Sequence, residues 1–213
     1  MTIHHNGGNV ISSQSGLAPV DWDWQLALWI KQVGSPPVTA LMGVILVGLL
    51  LSTAEAWLWV LSFSLLTVVV PSFYVLALYQ RGVVSDIHLR NRSERVRPTL
   101  ITLAAAITMW LWLYAENGPA LLIAFAGANV IQTMLFFVIT LRWKISAHTA
   151  SAAMLAVLAA WGLGGMAAAP IILSVPLIAW SRVRLEDHTP AQTVLGAVLG
   201  SLIFSVALLV YGG

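Results

Sequence analysis

Residues 167–213 read AAAPIILSVPLIAW, then SRVRLEDHTPAQ, then TVLGAVLGSLIFSVALLVYGG: an apolar run, a charged island at 181–192, and a second apolar run. Arg182, Arg184, Glu186, Asp187 and His188 all fall inside the island. The run behind it is long enough to cross a hydrocarbon core, which takes about 20 apolar residues. The rest of the chain repeats this alternation. Of its 213 residues 59% are hydrophobic and 8% are charged, whereas a soluble domain is about a quarter charged. Mean hydropathy is +0.89. Folding alone cannot hide that much apolar surface from water, so the sequence predicts an all-α integral membrane protein, a bundle of about six or seven transmembrane helices.

Working outward from the island, the predicted spans are 38–53, 57–79 with a kink at Pro71, 99–114, 119–141, 149–163, 168–180 broken by Pro170 and Pro176, and 190–210. Residues 54–56 form the link between the first two. Ahead of them, DWDWQLALWIKQVG at 21–34 places Trp22, Leu26, Trp29 and Ile30 at helical spacing, which predicts a short helix lying in the interface. Residues 1–37 are therefore read as a polar N-terminus with an interfacial helix, and 38–213 as one transmembrane domain. Residues 1–20 lack the basic start, apolar run and cleavage site of a signal peptide. His4 and His5 there read as part of a mobile terminus rather than a metal site.

Seven crossings put three polar islands on one side of the membrane. They are QRGVVSDIHLRNRSERVRP at 80–98, the segment 145–148, and the island at 181–192. All ten Lys and Arg fall on that side, counting Lys31. The positive-inside rule makes it the cytoplasmic side of a cell membrane. A formal charge of +2 is too small to suggest nucleic acid as a partner, and with no Cys the chain has neither disulfides nor a thiolate nucleophile. Within the fourth span, Asn129 and Gln132 read as interhelical hydrogen bonds. GLGG at 162–165 reads as close helix packing.

His148 and His188 each stand just ahead of an apolar run and are each followed by Thr. A helix N-terminus offers free N–H groups and the positive end of a dipole, which suits an anion. Two such ends with surplus Arg suggest a phosphate pocket. One His can attack phosphorus while another protonates the leaving oxygen, and Arg and backbone donors can stabilise the transferring group without a metal. Neither metal nor cofactor is expected. Asp86, His88 and Glu94 read as balancing charges in the basic loop.

At this point the chain resembles the type 2 phosphatidic acid phosphatase superfamily, which also includes the vanadium haloperoxidases. Its pattern is Lys-x6-Arg-Pro, then Pro-Ser-Gly-His, then Ser-Arg-x5-His-x3-Asp. The chain carries Arg90-x6-Arg97-Pro98, Ile145-Ser146-Ala147-His148, and Ser181-Arg182-x5-His188-x3-Gln192. The resemblance covers about residues 80–211 and is most specific in the third motif. It implies His188 as the nucleophile, passing through a phosphohistidine, and His148 as the general acid. It also implies Arg90, Arg97 and Arg182 as phosphate clamps, with hydrogen bonds from Ser146 and the Ala147 amide. Gln192 stands where the family has Asp, so it can orient the ring but brings no charge; Asp187 or Glu186 are the nearest carboxylates. The implied activity is hydrolysis of a lipid phosphate or isoprenyl diphosphate. The alternative, motivated by Gln192, is a catalytically lapsed relative serving as a structural or lipid-binding subunit. Expected partners are membrane lipids, an amphiphilic phosphate substrate, and a second copy of the chain or another membrane subunit.

Overall fold

The computed structural model describes residues 21–87, 89, 91 and 93–211. His4, His5, His88 and Arg90 lie outside the described residues, and with Arg90 goes one expected phosphate ligand.

Among the described residues the chain is all-helical. Its helices are α1 Trp22–Val33, α2 Pro36–Leu51, α3 Ala54–Ser64, α4 Val70–Gln80, α5 Val96–Ala115, α6 Ala120–Thr140, α7 Ala147–Leu163, α8 Gly165–Arg184 and α9 Pro190–Tyr211. Five stretches are long and apolar enough to cross a membrane: Ala54–Gln80, Ser93–Ala115, Ala120–Thr140, Gly165–Arg184 and Pro190–Val210. The pair α1 and α2, bent by 49°, makes a sixth if taken as one span. Large apolar side chains such as Leu58, Leu61, Phe73, Leu173 and Leu202 face outward, as lipid-facing positions do.

The short helix α7 is the axis of the bundle. It packs on α9, α8 and α2, and most of its length is buried. Its sequence AHTASAAMLAVLAAWGL is small-residue-rich, which lets neighbouring backbones approach closely. Gly196 and Gly200 on α9 supply the matching groove. A methyl group at Gly200 would run into the Ala150 backbone, and one at Gly196 would meet Ser146 O at 2.5 Å. The aromatic core lies beside this contact, with Phe125 touching Phe63 and Phe204 at ring-centre distances of 5.4 and 5.7 Å.

Four local expectations are revised. Residues 54–56 are not a link. Ser52, in the left-handed region at φ 55, and Thr53 make the turn, and the Thr53 side chain caps α3 by accepting the Ala56 N–H. Pro71 does not produce a simple kink. The turn before it, Leu65–Val69, widens into a π-helix, because proline has no N–H and its ring crowds the preceding turn. Pro170 and Pro176 do not break α8, which runs through both to Arg184, so Ser181, Arg182 and Arg184 belong to its last turn. The third span begins earlier than residue 99, with a 3₁₀ turn at Ser93–Arg95 leading into α5.

Helix α1 exposes Trp22, Leu26, Trp29 and Val33 along one stripe and buries Ala27 and Lys31 on the other. It docks on α8, held by Arg184, which pairs with Asp21 at 2.7 Å and Asp23 at 2.6 Å. Residues 162–165 divide their work. Gly162 sits against Leu50, while Gly164 takes φ 79 in the turn between α7 and α8, a conformation that favours glycine.

Candidate functional site

Two helix N-termini are stitched together at the charged end of the bundle. Ser146 is the N-cap of α7, its hydroxyl accepting the Thr149 N–H. At α9, Thr189 and Gln192 form a reciprocal capping box. The Gln192 N–H points to Thr189 Oγ1 at 3.4 Å, and Gln192 Oε1 accepts the Thr189 N–H at 3.2 Å. The Ser146 N–H donates to the Gln192 carbonyl at 3.2 Å, tying one first turn to the other. His148 therefore lies in the first turn of α7 and His188 just ahead of α9, with two positive dipole ends side by side.

His188 is buried and its Nδ1 lies 3.1 Å from Gln192 Oε1. The same oxygen accepts the Thr189 N–H, so it acts as an acceptor, and the proton between the two side chains belongs to the imidazole. That assigns Nδ1–H and leaves the Nε2 lone pair for chemistry. Burial first, then the positive charges of Arg182 and Lys144, push His188 down from 6.5 to about 4, against the opposing Gln192 hydrogen bond. The ring is neutral through the physiological range.

Arg182 is 4% exposed. Its carbonyl accepts the N–H groups of both Asp187 and His188 at 3.1 Å, closing a tight loop in which Glu186 adopts φ 55. The Asp187 carboxylate engages two cations. Its Oδ2 lies 2.9 Å from the Arg182 guanidinium and 3.0 Å from Lys31 Nζ. Asp187 thus balances two buried cations and locks α1 to the site. Glu186 is exposed, and the partner of His188 Nδ1 is the uncharged Gln192 amide.

A cavity of about 500 Å³ reaches this end of the bundle. His148, His188, Arg182, Arg95 and Ala147 line its charged end. The cavity continues between α2, α4, α5, α6 and α7, past Thr67 and Val68 of the π-turn, Thr102, Gln132 and Met154. The structure thus gathers four of the expected site residues on one wall, with Gln192 behind His188. It does not bring Arg97 there: that side chain is exposed. Arg95 takes the place. Residues two apart on a helix point about 200° apart, and the phase Arg95, Pro98, Thr99, Thr102, Ala106 faces the cavity. Ser146 is fully buried behind the wall as a cap.

Three residues of the site escaped the sequence reading. The helical phase from Pro98 to Ala106 could have singled out Arg95. Lys31, 4% exposed, continues the buried phase of Ala27. Lys144 has no local signal beyond its charge. Around Arg95 the loop is closed by Glu94, which accepts from Ser85 and Asn91, and by Arg95 Nε donating to the Leu89 carbonyl at 2.7 Å. Among the described residues no three His, Asp or Glu side chains cluster in a way that could hold a metal ion. Comparisons of the chain with protein-family models, with curated proteins and with solved structures find no match.

Proposed function

We propose that the protein hydrolyses the phosphate ester of a membrane amphiphile through a phosphohistidine, the activity implied by its resemblance to the type 2 phosphatidic acid phosphatases. The observation that carries this reading is His188: a buried, neutral imidazole with Nδ1 engaged by Gln192, lying on a cavity beside Arg182 and Arg95. His188 Nε2 attacks phosphorus, the bond from phosphorus to the alcohol oxygen breaks, and His148 gives that oxygen its proton. Water then attacks the phosphohistidine, releasing inorganic phosphate and regenerating His188. Arg95, Arg182 and the two helix N-termini supply the positive field for the phosphoryl oxygens. The cavity leaves room for a tail to remain among the helices while the phosphate stays at the charged end. By the positive-inside rule that end faces the cytoplasm.

The test is phosphate release by purified protein in detergent with EDTA, on phosphatidic acid, phosphatidylglycerol phosphate and farnesyl diphosphate. Wild type turns over at least one of them, and His188→Ala abolishes turnover while keeping its unfolding temperature. Folded wild-type protein that releases phosphate from none, and binds them equally well with His188→Ala, favours the lapsed-subunit reading.

A further inference from the structure

The cavity is not walled evenly. Of the residues that line it, Gln32, Pro37, Ser72 and Ile87 are exposed, and every other one is buried or half-buried. Gln32 and Pro37 flank the bend between α1 and α2, Ser72 stands on α4, and Ile87 lies in the loop that follows α4. None of the four belongs to α5, α6, α7 or α8. The packing accounts for this. α2 packs on α3 and meets the π-turn Leu65–Val69, whereas α4 packs on that turn and on α5. Beyond the π-turn α2 and α4 do not pack as a pair, which leaves a slit between them. Ser72 lies eight residues before Gln80, the last residue of α4, so the slit reaches about 12 Å below the charged end. Its outer borders are apolar: Val38 and Leu41 on α2 and Val70 and Phe73 on α4 are all exposed. Helices in a membrane are held together by van der Waals packing, so a seam left unpacked at that depth is filled by lipid chains.

We propose that the slit between α2 and α4 is a side entrance from the bilayer: a lipid phosphate slides in, its phosphate goes to the charged end, and its chains trail back through the slit into hydrocarbon. This assignment rests on the charged end taking the phosphate, as proposed above. The consequence is a substrate class. Because the chains leave through the slit, the cavity of about 500 Å³ does not have to enclose them. Lipid phosphates with two chains, or with one very long chain, are therefore accepted alongside short ones.

The experiment uses full-length protein in phosphatidylglycerol vesicles and two probes, each with a photoactivatable diazirine midway along its chain. One is a hexadecylphosphonate, which is not hydrolysed; the other is a methyl hexadecanoate, which lacks the phosphoryl group. Mass spectrometry locates the label. Wild type should be labelled at Thr102 and Thr133, which line the far wall of the cavity on α5 and α6, as well as at the outward-facing Leu173. Ser72→Trp fills the slit from α4, and Pro37→Trp fills it from α2. Each should lose the label at Thr102 and Thr133 and keep it at Leu173, which shows that the variant is folded and inserted; if one fails that control, the other decides. Leu61→Trp, on the outward face of α3, should keep both labels. Cavity labelling by neither probe in wild type would overturn the entrance, and so would cavity label that survives in the filled variants. The phosphate reading fails separately, if the phosphonate labels the cavity no better than the methyl ester. In that case loss of both cavity labels on filling the slit would still uphold the entrance.

Discussion

At Gln192 one amide oxygen does two jobs: it accepts the Thr189 N–H at 3.2 Å and faces His188 Nδ1 at 3.1 Å. It sets the tautomer without adding charge, so in the proposed phosphoryl transfer the imidazolium-like stage gains no carboxylate beside it. If the site catalyses the proposed reaction, placing a carboxylate there with Gln192→Asp should raise turnover at least about tenfold, given that losing such a group in a catalytic triad can cost about 10⁴. Gln192→Leu removes the acceptor and should lower it by about 10²; steady-state rates on one lipid phosphate compare the three. The pH dependence follows from His188. Its folded pKa is depressed to about 4, so the nucleophile is neutral above that value and is lost only as pH falls through it. The acid limb of kcat/KM should lie near pH 4 and not near 6.5. Lys144→Met removes one of the charges that depress it and should move the limb upward. That His148, His188 and Arg182 share the cavity lining was suggested by the sequence, because local spacing carries them. Arg97 is exposed and Arg95 lines the cavity, a difference linear spacing does not report because it says nothing of the phase of a helix that begins at Val96. The partners of Asp187 were illegible because Lys31 lies far away in sequence.

The contact of α7 with α9 carries the site at the next scale. Their first turns are tied by the Ser146–Gln192 backbone bond, and their crossing depends on Gly196 and Gly200. Gly200→Ala forces a methyl into the Ala150 backbone and should destabilise the bundle by about 1–3 kcal/mol, as overpacking does. Gly165→Ala, where a methyl meets nothing within 4 Å, should be close to neutral. Unfolding temperatures in one detergent separate the two. The other device at this scale is the latch of α1 on α8. Asp187→Asn takes the carboxylate from Lys31 and Arg182, both buried, and should cost about 3–5 kcal/mol. Limited proteolysis should then cut α1 faster. The amphipathic stripe of α1 was readable from Trp22, Leu26 and Trp29, but its docking was not, since a buried Lys looks like any surface Lys until its partner is known. The π-turn at Leu65–Val69 has the same character. Pro71 signals a disturbance, and only packing decides that it becomes a widened turn lining the cavity.

For the whole molecule, composition alone announces a membrane protein, and the order of apolar runs announces most of its helices. What composition hides is that the 17-residue α7 is enclosed by other helices. Its Ala- and Ser-rich surface meets helices on several sides, so it carries His148 at the centre of the bundle. The central claim is that this arrangement makes His188 the phosphoryl acceptor. The most direct measurement is acid-sensitive, base-stable labelling of the protein by a phosphate-radiolabelled lipid phosphate, quenched during turnover in EDTA. The account predicts label on wild type and none on His188→Ala, with His148→Ala labelled much more slowly because the alcohol must then leave without its proton. Label that persists in His188→Ala, or turnover that persists without His188, would contradict it.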